Sequence, residues 1–554
     1  LTFISGVRYK TNRYLLGALE TKGDYKPSFI DVQSYITYKP FKKFEIGFLG
    51  NFADNQYNFI PQTLETSFGT VRDALSFKVF YDGNERDRFQ TGLGALSFSY
   101  RPNDELSLKI ISSAFNTYER ESFDIQGQYL INELDNRFGS ETAGDSILNI
   151  GIGTFMNHAR NKLEANVFSI EHKGLYSTSD NDLRWGLQYR YESINDQLSE
   201  WDVLDSAGYS IPYSDNDVLL FNTRKGKSDL QSYRISGYLQ NTYNFRKGRA
   251  DYYLTTGLRA HYWSYNTQTV VSPRASLNID PYWFRDFRFK FAAGYYYQPP
   301  FFRELRTPEG DIRKNIKAQR SIHFIAGANY YFKAWDRPFK LSSELYFKSL
   351  SNLIPYKVDN VRIKYYPDYI ARGYATGIEF KINGEFVKGS ESWASLTFLK
   401  TEEDIYRDFY IVDHKRHEPG YYSRPTDQLF NFTMFFQDYF PNNPDYKVHL
   451  NFVYASRTYV SQSNPKRLDV TFPLSAYKRV DLGISKSIDR FTSQNGLFKS
   501  AWISAEIFNL LDIKNKISYL WIRTVSNQTG DSGYYAIPNF LTSRRINVKL
   551  SVRF

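Results

Sequence analysis

The chain has 554 residues, of which 42% are hydrophobic and none is cysteine, and it carries a formal charge of +11. Without cysteine there are no disulfides, thiolate metal sites or cysteine nucleophiles, and no run approaches the roughly 18 apolar residues of a spanning helix. Any membrane passage must therefore use a closed barrel, because only helices and barrels satisfy every backbone donor and acceptor in hydrocarbon. The cations occur in short clusters such as Arg313-Lys314 and Arg544-Arg545 rather than along one element. That argues against nucleic acid and for a solvated interior, loops, and non-specific attraction to anionic lipid or polysaccharide.

Taken in chain order, Leu1 to Tyr9 already reads as a strand, with no basic or apolar leader segment before it. Strict alternation then recurs. Phe287, Phe289, Phe291 and Ala293 oppose Arg288, Lys290, Ala292 and Gly294, and Leu341, Ser343, Leu345 and Phe347 oppose Ser342, Glu344, Tyr346 and Lys348. The same holds for Tyr374 to Ile382 and for Val480 to Ser485. Each is a strand with one apolar and one polar face, and sustained helical periodicity with caps is absent. Aromatic residues, 46 Tyr and 45 Phe, suit cross-strand pairs and interfacial girdles.

Short connections rich in Pro, Gly and charge, such as 39–42, 101–104, 246–249, 336–338 and 388–391, alternate with long ones at about 54–69, 299–318, 351–370, 403–428, 455–476 and 513–540. Long connections are also expected at 119–145 and 194–228, but possible turns near 157–162 and 173–182 leave the strand parity of 119–228 open. Short turns at one rim and long loops at the other are the asymmetry of an outer-membrane barrel with its short side in the periplasm. At about 9–11 residues per spanning strand, 22 strands use about 220 residues and leave roughly 15 per connection. The expectation is an all-β, transmembrane antiparallel β-barrel of 22 strands that fills residues 1–554 as one domain.

The final nine residues alternate without a break. Ile546, Val548, Leu550, Val552 and Phe554 share one face, while Asn547, Lys549, Ser551 and Arg553 share the other. A two-faced strand closing on an aromatic carboxyl terminus resembles the insertion signal of bacterial outer-membrane barrels.

Candidate contacts for a ligand or a plug are Trp263, Tyr295, Tyr296 and Tyr297, which could form a stacking platform or belong to an aromatic girdle. Arg303, Glu304 and Arg306 follow Pro299-Pro300 at the start of a long loop, where local structural pairing competes with direct ligand contact. His414 and His417 flank Lys415-Arg416 and make a poor metal site. Asp180-Asn181-Asp182 and Asp215-Asn216-Asp217 lack the glycine and distal glutamate of a calcium loop and read as turns. No nucleophile elbow, zinc-binding helix motif or phosphate loop occurs, so no enzyme, metal or cofactor is expected.

Several segments together resemble the barrel of the TonB-dependent receptor family, particularly members from Bacteroidetes. They are Gln298-Pro299-Pro300-Phe301-Phe302-Arg303-Glu304-Leu305-Arg306, the strand Gly373 to Glu379, Arg424-Pro425-Thr426-Asp427-Gln428 leading to Phe435-Phe436-Gln437-Asp438-Tyr439, Tyr477 to Leu482, and Glu506-Ile507-Phe508-Asn509-Leu510-Leu511-Asp512. The resemblance implies a bacterial outer-membrane importer of a large, scarce nutrient such as a siderophore, vitamin, oligosaccharide or peptide. It also implies a plug domain and a TonB complex as partners, engaged through an N-terminal segment that this chain does not contain. A receptor-like barrel serving as a structural subunit of a larger outer-membrane assembly, with a surface lipoprotein as one partner, is the alternative.

Overall fold

The computed structural model describes all residues except 12–22, 71–72, 138, 361, 441–442, 462–470, 489–499, 526–531, 542 and 554. Among the described residues, twenty long strands and four short ones make a single 24-stranded sheet. The long strands are β1 (Thr2–Thr11), β2 (Ser28–Phe41), β3 (Phe44–Pro61), β4 (Ala74–Tyr100), β5 (Leu106–Leu134), β6 (Ser146–Ser177), β7 (Asn181–Ser206), β8 (Asn222–Arg246), β9 (Ala250–Trp263) and β10 (Gln268–Pro281). They continue as β11 (Asp286–Gln298), β12 (Gln319–Ala334), β13 (Arg337–Leu353), β14 (Ala371–Val387), β15 (Ser390–Ile405), β16 (Phe430–Phe440), β17 (Asn443–Ala455), β18 (Tyr477–Ser487), β19 (Ser500–Phe508) and β20 (Arg545–Arg553). Each pairs antiparallel with the next from β1 to β20. The count of long strands is close to the 22 of the length arithmetic. Among the described residues no helix is long and apolar enough to cross a membrane.

The sheet is two-faced in the sense opposite to a soluble protein. On β12 and β13, Phe324 pairs with Phe347 and Ala326 with Leu345, yet Phe324 and Leu345 are 54% and 56% exposed. On the other face Glu344 pairs with Gly327 and with Glu379 of β14. Large apolar side chains outside and carboxylates inside are what lipid around a wet lumen selects. Outward rings form a belt at the short-turn rim. Phe287 stacks on Tyr330 at 4.4 Å, Tyr330 on Phe332 at 5.0 Å and Phe332 on Phe339 at 5.5 Å. Inside, Gly377 has no Cβ to obstruct the Tyr346 ring; an added one would stand 2.5 Å from the phenol oxygen.

The strand parity left open between 119 and 228 is resolved by length. β4 to β8 run 27, 29, 32, 26 and 25 residues, where about 9–11 suffice to span. Residues 157–162 therefore lie within β6, and the turn comes at 178–180. Most of the expected loop 119–145 is paired strand, with only 135–145 as the connection. These strands keep their ladder beyond the lipid because each backbone group finds a partner on the next equally long strand.

β20 carries eight of the last nine residues. Ile546, Val548, Leu550 and Val552 pair with Ile507, Ala505, Ile503 and Ala501, whereas Asn547 and Ser551 pair with Glu506 and Trp502. Ile546, Val548 and Leu550 are exposed to the exterior, and Phe554 lies outside the described residues.

Candidate ligand entrance at the outer mouth

Three long connections fold inward across the mouth, and each is held by the wall of β4 to β8. The first is residues 299–318, which follow Pro299-Pro300 and contain a short 3-10 turn, Phe302–Leu305. Leu305 is fully buried against Leu230 and Trp263, with Ile194, Phe302 and Ile312 around them. Arg303 donates to Glu119 of β5 at 3.1 Å, Arg306 pairs with Asp196 of β7, and Arg313 forks onto Asp368 at 2.6 and 2.9 Å. Burial pushes the Asp196 carboxyl above its ordinary pKa against the pull of Arg306. Glu304 does not reach the wall. It accepts from the Phe301 backbone at 2.8 Å and from Gln319 at 3.2 Å, and burial raises its pKa.

The second is the hairpin of Tyr356–Asp359 and Arg362–Tyr365. Its Arg362 donates to Glu121 at 2.8 Å, lies 3.9 Å from Glu200 and sits 5.2 Å over the Phe123 ring. Around it the inner wall is acidic. Asn161 donates to both Glu121 and Glu200, at 2.8 and 2.7 Å, and Arg224 approaches Glu200 at 3.1 Å. Burial, and then the Asp87 charge, push Glu85 up to about 7; burial and Glu121 raise Asp87. Both lie 13 or more residues from the end of β4 at Tyr100, beyond the span of a membrane strand.

A prediction follows for pH. A carboxyl whose folded pKa lies above its unfolded value binds its proton more tightly when folded, so its effect on stability worsens as pH rises from about 4.5 to 7. Glu85→Gln removes that penalty. Allowing for solvent screening of this half-buried group, the variant should be more stable than the parent by about 1 kcal/mol at pH 8 and equal at pH 4. Urea midpoints at the two pH values measure this; no gain at pH 8 would refute it.

The third is the hairpin of Lys516–Val525 and Ser532–Phe540. Ile522 and Ile537 pack against Phe77 and Val79 of β4 and Tyr129 and Ile131 of β5. This hairpin joins β19 to β20, so its contact with β4 and β5 requires the sheet to curl until its ends approach. Asn539 and Ser518 reach Asn360 of the second hairpin, Ser518 at 3.4 Å. Trp521 donates to the Ser461 carbonyl at 3.2 Å and lies 5.1 Å from Phe472. The inward segments thus form one roof.

The sequence-derived candidates divide among three environments. Trp263 is 2% exposed, with its indole N–H on Ser232 at 3.1 Å and the Arg234 guanidinium 4.2 Å over its ring. The three tyrosines split by strand alternation. Tyr295 and Tyr297 continue the outward face of Phe291, whereas Tyr296 turns inward, 4.2 Å from His323 and 4.4 Å from Arg274. Arg303 and Arg306 are wall contacts of the roof, and Glu304 closes its own turn. His414 and His417 sit in the small hairpin of Tyr410–Val412 and Lys415–His417, and no metal-binding group of three His, Cys, Asp or Glu occurs among the described residues. Arg362 and its acidic seat escaped the sequence reading, although Tyr356-Lys357-Val358-Asp359 and Arg362-Ile363-Lys364-Tyr365 alternate around a turn and could have marked a hairpin.

A lipid-facing barrel with a wet interior and a mouth roofed by its own loops defines an outer-membrane transport barrel. The family model described as TonB dependent receptor-like, beta-barrel matches residues 6–510, and the chain belongs to that family. It lies in the bacterial outer membrane and is a transporter barrel rather than an enzyme. Among solved structures it is similar to the outer membrane transporter YddB from Escherichia coli, with a TM-score of 0.53 and 11% identity over 100% of this chain and 80% of that one. It is likewise similar to the siderophore receptor PiuA from Acinetobacter baumannii, at 0.53 and 11% over 99% and 81%. The RagAB peptide importer gives 0.55 and 10% over 92% and 70%. A search of curated proteins returns no match.

Proposed function

We propose that this chain is the barrel of an importer that captures a large, scarce nutrient at the cell surface and passes it inward when a TonB complex acts on a plug domain. The nutrient is a siderophore, vitamin, oligosaccharide or peptide. The observation that carries the reading is the roof. Three connections from different parts of the barrel cross the mouth and end in ion pairs or apolar contacts on one wall, so a ligand entering from outside must displace them. Trp263, Arg303 and Arg306 then hold the roof shut, and Tyr296 with Arg274 and His323 lies on the wall below it. The motif series from Gln298 to Asp512 supports a Bacteroidetes-type member.

The test is uptake and surface binding by the full-length protein in cells with and without TonB. Import should disappear without TonB while surface binding persists. Import that ignores TonB would overturn the reading, and neither binding nor import of any nutrient would favour a structural subunit of a larger assembly.

A further inference from the structure

The outer face of β4 to β8 carries an arrangement that import does not use. Arg88 of β4 lies directly opposite Arg120 of β5, and Arg120 directly opposite Lys162 of β6. Lys162 in turn faces Gln197 of β7, which faces Lys227 of β8. Arg86 and Lys225, each two residues further along its strand on the same face, extend the row upward. All six cations are exposed. Alternation puts them outside, on the face of Phe98, Ile110 and Phe168, while Asp87, Glu121 and Asn161 point into the barrel.

Like charges placed directly opposite on neighbouring strands destabilise a sheet, and here three cations stand side by side on three consecutive strands. Arg88 is neutralised by Asp54, at 3.0 and 2.8 Å. Arg86, Arg120, Lys162, Lys225 and Lys227 make no ion pair among the described residues. Of the other acids on this face, Glu164 and Asp229 lie toward the membrane from the row and form no ion pair with it, and Asp124, on the far side of the row, is paired with Arg160 and His158. Below them comes the rim of the lipid band, where Phe168 of β6 pairs with Tyr191 of β7 and Tyr191 with Tyr233 of β8. Lys162 lies six residues beyond Phe168, roughly 20 Å along the strand and less in height because barrel strands tilt. That is the level of headgroups and their first sugars. Four strand spacings from Arg88 to Lys227 make the row roughly 19 Å wide.

We infer that this face seats the phosphate groups of an anionic, phosphorylated glycolipid of the outer leaflet. Phosphate resolves the repulsion, because it bridges neighbouring cations and accepts two parallel bonds from a guanidinium. The lipid comes to this height in the only leaflet the face can touch. The inference rests on the outer-membrane location and not on import, so its failure leaves the import reading intact.

The test places the full chain in phosphatidylcholine nanodiscs and titrates a bisphosphorylated disaccharide glycolipid, its dephosphorylated form and inorganic phosphate, reading the thermal midpoint. The phosphorylated lipid should raise the midpoint, with an effect that fades as salt increases, and the dephosphorylated lipid should not. Each cation near an anionic surface is worth roughly fivefold in binding, so Arg120→Glu with Lys162→Glu should weaken binding at least about tenfold. Arg120→Lys with Lys162→Arg should stay within about twofold, which keeps the test valid if the charge-reversed protein does not fold. Equal binding of both glycolipids, full competition by inorganic phosphate, or unchanged affinity in the reversed variant would overturn the inference. So would loss of a co-purifying acidic protein from that variant with the lipid titration unchanged.

Discussion

Leu550→Arg is expected to cost roughly 2–4 kcal/mol of barrel stability, the depth-dependent penalty for a cation on a lipid-facing strand position. Leu550 stands in the middle of β20, is 65% exposed, and lies opposite Ile503 on a face that contains Ala501, Ala505 and Ile507. Arginine there must either enter hydrocarbon or bend toward the headgroups. The control is Ser551→Arg, one residue on, whose side chain turns to the wet interior opposite Trp502. That change should cost well under about 1 kcal/mol, since a lumen position leaves the cation hydrated. Urea titration of the protein in bilayers, with the heat-dependent shift in electrophoretic mobility as the measure of the folded barrel, reads both. Equal losses for the two variants would mean that the faces are reversed.

Phe77→Ala should be the most damaging single change in the roof. Phe77 is fully buried, its ring 6.1 Å from that of Tyr129, and the hairpin residues Ile522 and Ile537 close over the pair. Truncating a buried phenylalanine costs about 3–5 kcal/mol through lost burial and the cavity left behind. Because the cost falls on the contact between wall and hairpin, the expected outcome is undocking of the paired strands 516–525 and 532–540 with the barrel intact. At about 3 kcal/mol the open population rises more than roughly a hundredfold. Hydrogen exchange should therefore accelerate in the hairpin and not in the paired centres of β12 to β14. Unchanged exchange in these two strands, or loss of the whole barrel, would contradict the placement of this cluster at the edge of the roof.

The two expectations have different origins. The faces of β20 could be read from nine residues, because a strand has period two and lipid and water sort its sides without help from the rest of the chain. For the same reason the apolar exterior of β11 to β14 and the all-β class were legible. Tyr295, Tyr296 and Tyr297 show where that legibility ended. Their composition suggested one platform, yet adjacent strand residues cannot share a face.

Beyond the lipid the alternation no longer discriminates, since both sides of an extended wall meet water. Residues 119–134, 157–162 and 194–206 therefore resembled connections although they lie in paired strands. The sequence by itself determined a lipid-facing barrel with short turns at one rim and long connections at the other. Only the tertiary structure decided that those connections turn inward and close the mouth. Arg303 and Glu119 are 184 residues apart, and Arg362 and Glu121 are 241 apart. Such partners meet because the sheet curls, and no local pattern records which distant carboxylate a loop arginine will find.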